Sequence, residues 1–108
     1  MYWASSYFIE IISMSPEIQV AASRFYLLFD VLRQLHLAPN RVTQRETVEQ
    51  EMTAMAASLN SHGAEVHWVP PQHVFESHRP VITNASGAPV LPMHGRLDVE
   101  RQLSALIA

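Results

Sequence analysis

The sequence predicts an α+β fold: a short strand, two helices, a small irregular antiparallel sheet and a C-terminal helix, all within a single domain over residues 1–108. Two observations lead there. Between Pro16 and Gly63 the apolar residues recur at three- and four-residue steps, the period of a helix, whereas from Ala64 onward they alternate. Prolines at 70, 71, 80, 89 and 92 then cut that second half into short pieces.

Tyr7-Phe8-Ile9-Glu10-Ile11-Ile12 is dense in aromatic and β-branched residues, which suit a pleated surface better than a helix, and reads as the first strand. Ser15-Pro16-Glu17 follows as an N-cap serine, a proline at the first helical position and an acid facing the positive end of the helix dipole. The helix from Pro16 to Leu35 places Ile18, Ala21, Phe25, Leu28, Leu32 and Leu35 on one stripe. Val20, Leu27, Phe29 and Val31 fall outside that stripe and leave a narrow polar strip at Gln19, Ser23, Asp30 and Gln34. Such a helix is either deeply buried or shared with a partner.

Ala38-Pro39-Asn40 ends the first helix, because a residue before proline is pushed out of the α region. Thr43-Gln44-Arg45-Glu46 has the form of a capping box opening a second helix, whose stripe is Val48, Met52, Met55 and Leu59 and which Gly63 closes. Glu65 to Val69 reads as a strand with Val66 and Trp68 on one face. His73 to His78 and Pro80 to Thr83 read as two more, and Asn84-Ala85-Ser86-Gly87 as the turn to an arm at Ala88 to Leu91. Asp98 to Ile107 is amphipathic, with Val99, Leu103, Leu106 and Ile107 on its apolar side.

At 108 residues the chain has material for one core, and 48% hydrophobic against 16% charged residues is a composition that folds. All seven basic residues are scattered arginines and the formal charge is −3, so no phosphate-binding stripe is present and nucleic-acid binding is not expected. Without cysteine there is no disulfide framework, thiolate nucleophile or Cys-ligated metal. Charged residues punctuate the apolar N-terminal third, and its start lacks the basic residues of a signal peptide, so a cytoplasmic protein without a membrane span is expected. Asn84-Ala85-Ser86 matches the glycosylation acceptor pattern, but the short motif arises by chance and no secretory signal is expected, so glycosylation is not expected there.

The histidines are the most suggestive chemistry. His62, His67, His73 and His78, with His94 nearby, form a cluster, but the first four stand at gaps of five, six and five residues, which match neither the HxxxH nor the HxH spacing of metal ligands, so no metal site and no cofactor are expected. His67, Glu76 and His78 are the candidates for acid–base work, with Glu76 and His78 on one face if the segment is a strand. Tyr26, Met52, Met55, Trp68 and Phe75 are candidates for an apolar ligand pocket, since aromatic and thioether side chains adapt to apolar guests, although the same residues fill ordinary cores. The function expected is a small homodimeric module, joined through the helix Pro16 to Leu35, that binds a protein or an apolar small molecule. The alternative is a small-molecule enzyme using the His/Glu pair at a subunit interface.

Overall fold

The structure is a computed structural model and describes residues 15–74 and 76–107. The elements run α1 (Pro16–Leu35), α2 (Val42–Ser61), β1 (Glu65–Val69), β2 (Arg79–Thr83), β3 (Pro89–Val90) and α3 (Arg96–Ile107). This is the mixed α+β order expected, with the helices first and a helix last; the strand expected at Tyr7 to Ile12 lies outside the described residues. None of these helices is long and apolar enough to cross a membrane.

α1 is the central element: α2, α3 and the sheet all pack against it. That position explains its surplus of apolar residues. Ile18, Ala21, Ala22, Phe25, Leu28, Phe29, Val31 and Leu35 are buried, and Leu27 and Leu32 pack against the same core. Val31, expected to need a partner chain, is fully covered within one chain, and Val20 alone of the off-stripe residues stays well exposed. The polar strip is used internally as well. Gln19 Nε2 donates to the Leu91 carbonyl at 3.0 Å, Ser23 Oγ accepts the Met93 amide at 3.0 Å and Asp30 Oδ2 meets His94 Nε2 at 3.0 Å. Three polar side chains thus strap residues 91–94 along α1.

The helix ends differ in part from expectation. Pro16 opens α1, but the Ser15 hydroxyl donates to the Glu17 carboxylate at 2.6 Å and not to a backbone amide. The box at Thr43–Glu46 does not form. The Arg41 amide bonds back to the Ala38 carbonyl and the Arg41 carbonyl accepts from Arg45, so α2 starts at Val42 and Thr43 is already helical. A reach-back of that kind occurs instead at α3, where Asp98 Oδ2 accepts the Gly95 amide at 2.9 Å and the helix begins two residues before Asp98. Gly63 ends α2 as expected. At φ 85° it lets Ala64 N–H reach the Leu59 carbonyl at 2.9 Å and its own N–H reach Asn60 at 3.1 Å, a paired closure with Ala64 and Leu59 both buried.

The sheet has the order β1-β2-β3 and is antiparallel, with Val66 opposite Ile82 and Ile82 opposite Val90. Val66, Trp68, Ile82 and Val90 face the helices, so the face assigned to Val66 and Trp68 is correct. Pro80 sits in the middle strand without a donor to give, and the length of β3 makes this possible. β3 pairs only with Ile82 and Thr83, so beside Pro80 β2 has a strand on one side only. The strand expected at His73 to His78 does not form among the described residues of that segment. The described part of that segment is exposed, with no apolar face to bury, and turns on itself through Glu76 N–H to the His73 carbonyl.

Candidate functional site

Where the C-terminal half of α1 passes the segment between β1 and β2, a groove of about 630 Å³ opens, and Phe29, Arg33, Leu37, Glu76, Ser77 and Arg79 line it. Its floor follows from the α1 pattern. Phe29 falls outside the main stripe and turns toward the sheet, where its ring meets Trp68 edge-on at 5.8 Å; Phe25 backs the same indole at 6.1 Å. Trp68 is 50% exposed, a large apolar surface on the flank of the Phe29 wall.

The polar rim carries more positive than negative groups. Arg33 stands one turn beyond Phe29 with its guanidinium 5.9 Å from the ring centroid, and Arg79 opens β2. Glu76 is the acid among these residues, and its carboxylate accepts the Gln72 amide at 3.2 Å. Among the described residues neither arginine lies within 4.0 Å of a carboxylate, whereas Arg24 pairs with Glu51 at 2.7 Å and Arg96 with Glu100 at 3.2 Å.

The expected acid–base group is not brought together. His67 points from the outer face of β1 toward Thr83 Oγ1 at 3.0 Å and lies 3.6 Å from Glu65 Oε2, while Glu76 is in the groove. No hydrogen bond or ion pair joins His67, Glu76 and His78 among the described residues, and without a strand at 73–78 the alternation that would have aligned Glu76 with His78 is missing. The expected apolar pocket is divided too. Met52 is buried in the core between helices and Met55 packs beside it, while the Tyr26 hydroxyl is engaged at the far end of the sheet. None of the described members lines the groove; Trp68 is linked to it through its edge-on contact with Phe29, and Phe75 lies outside the described residues. Among the described residues no group of three or more His, Asp or Glu side chains is arranged to hold a metal ion.

His94, counted in sequence only as a neighbour of the histidine cluster, is the one the fold singles out. His94 is nine-tenths buried between α1 and α3, bonded through Nε2 to Asp30, and its buried Nδ1 has no partner. His94 separates two shallower clefts of about 490 and 420 Å³. Asp30 is 64 positions away in sequence, so no local spacing announces the pair.

Compared with known proteins, the chain matches no family model, no curated protein and no solved structure.

Proposed function

We propose that this domain is a non-catalytic binding module and that the groove between α1 and the β1–β2 connection takes a small molecule with an apolar body. The observation that carries this reading is the Phe29 wall backed by Trp68 in a concavity of about 630 Å³, a size that suits a small organic ligand. The separation of His67, Glu76 and His78 favours binding over acid–base chemistry. Replacing Trp3 by Phe leaves Trp68 as the sole tryptophan and a reporter on this wall. Titration with phenylnaphthylamine, an uncharged apolar dye, should then quench Trp68 saturably, and Leu37→Glu should abolish the quenching. Absence of saturable quenching at concentrations where the dye stays dissolved rejects the reading.

The module is further proposed to be a homodimer, through a different part of α1 than the stripe surplus indicated. Val20, Leu91, Met93 and Leu97 are each at least 65% exposed, and the strap that carries Leu91 and Met93 is fixed to α1 at Gln19 and Ser23, on either side of Val20. No residue of α3 is fully buried. Short helices draw most of their stability from packing, so a covering copy would strengthen this one. α3 presents Arg96, Asp98, Glu100 and Arg101 to solvent, a mixture of signs that a twofold-related copy can meet with opposite charges.

A further inference from the structure

We infer that the ligand of the α1 groove carries an anionic head, a carboxylate, sulfonate or phosphate, held by Arg33 and Arg79. The inference rests on the groove being a ligand site and adds the charge of what fills it. The protein has ten carboxylate side chains for seven arginines and a formal charge of −3, so an arginine has ample choice of acidic neighbours. Among the described residues Arg24 and Arg96 have taken one each and Arg33, Arg41, Arg45, Arg79 and Arg101 have none within 4.0 Å; what sets Arg33 and Arg79 apart from the other three is that they line the same groove.

Glu76 is the one carboxylate among the residues that line the groove, and it is turned to the Gln72 amide in its own loop. Arg33 has a structural use, since a cation in the last turn of α1 complements the helix dipole and its guanidinium rests near the Phe29 ring. Neither use applies to Arg79, which comes from β2. Two guanidiniums on one concave surface repel each other, and a shared anion removes that repulsion while accepting charge-assisted hydrogen bonds from the planar forks. Phe29 and Leu37 line the same groove, so an apolar body and an acidic head are accommodated together. An amphiphile of this kind is the class of ligand the groove recognises.

A matched pair of dyes tests it in the full chain with Trp3 replaced by Phe. Anilinonaphthalene sulfonate carries the head group, and phenylnaphthylamine is the same ring system without it. The sulfonate should bind about tenfold tighter or more, as expected when a charge-assisted hydrogen bond is added. Arg33→Gln and Arg79→Gln should each remove most of that advantage while leaving the neutral dye unchanged, which also shows that the variants fold. Added salt should weaken the sulfonate selectively. Equal affinities for the two dyes, or a sulfonate preference that survives both substitutions, overturn the anionic head and leave the groove standing as an apolar site. If neither dye binds, the groove itself is rejected and the inference with it.

Discussion

The hydroxyl of Tyr26 accepts the Ile82 amide at 2.8 Å and donates to the Val90 carbonyl at 2.9 Å, so one side chain of α1 is inserted between two strands of the sheet. Ile82 and Val90 are register partners, and β3 is only two residues long, so this bridge holds the end of the sheet that the short ladder leaves weak. Tyr26→Phe removes both bonds and keeps the ring. It should cost about 1–3 kcal/mol, the range for leaving buried backbone groups unpaired, read as a lower urea midpoint at unchanged slope.

The same bridge has a pH signature. Burial raises the Tyr26 phenol above its ordinary value of 10.0, against a smaller lowering by the Ile82 amide. An unfolded tyrosine loses its proton first, so the stabilising contribution is complete below the unfolded value and is lost as pH rises through the folded one. Unfolding free energy of the wild type should fall above about pH 10, and Tyr26→Phe should flatten that limb. Parallel alkaline limbs in the two proteins would show that Tyr26 does not contribute.

Gly63 is required twice over. Its φ of 85° lies in the left-handed region, and a Cβ there would sit 3.3 Å from the Ala85 Cβ in the β2–β3 turn. Gly63→Ala should destabilise by about 1–2 kcal/mol from the backbone conformation alone, and by more with the contact. Ala85→Gly added to it should restore only the contact part. Full restoration by the double variant would assign the whole effect to crowding.

The fold was legible wherever periodicity and breakers agreed. Ile18 to Leu35, Val48 to Leu59 and Gly63 needed only helical spacing and a left-handed glycine, and Val66 with Trp68 needed only alternation. What was not legible depended on partners distant in the chain. Val31 looked surplus because nothing local shows that α2, α3 and the sheet all meet α1. Gln19, Ser23 and Asp30 looked like a solvent face because their partners lie 64 to 72 positions away. His73 to His78 reads in sequence as a strand between turn signals, but the polarity of His73-Val74-Phe75-Glu76-Ser77-His78 does not alternate and its described residues are exposed, so it offers no face for a sheet to bury. Of the groove only Glu76 was a candidate, and for a separate reason, whereas Arg33 and Arg79 were not, since only folding brings them together.

Asp30 and His94 should behave as a coupled pair. Asp30→Asn weakens the acceptor and should cost about 1.5–3 kcal/mol, the range for a hydrogen bond to a charged group, discounted toward the lower end because Asp30 is 40% exposed. His94→Leu leaves Asp30 able to reach water and also removes the unpartnered Nδ1, so it should cost less than the loss of a bonded buried histidine implies. A double-mutant cycle in thermal or urea unfolding should give a coupling of at least about 0.5 kcal/mol. Additive effects would mean that the 3.0 Å contact contributes no net stability.

Val20 and Val31 separate the dimer from the fold. Both lie off the main stripe of α1, yet Val31 has no exposed surface in a single chain and Val20 is 69% exposed. Val31→Glu buries an unpaired carboxylate among Leu28, Leu35 and their neighbours, at a cost of several kcal/mol, and should unfold the protein whatever its oligomeric state. Loss of fold in that variant therefore carries no information about association. Val20→Glu places its charge in water in the monomer and should change monomer stability by no more than about 0.5 kcal/mol. In a dimer that covers Val20, the same substitution buries two like charges near the twofold axis and should dissociate it. Sedimentation equilibrium at micromolar concentration should give about twice the chain mass of 12.2 kDa for the wild type and the chain mass for Val20→Glu, with the same far-ultraviolet circular dichroism for both. A wild-type mass of 12.2 kDa overturns the dimer. A Val20→Glu protein that keeps the dimer mass moves the interface off this face of α1.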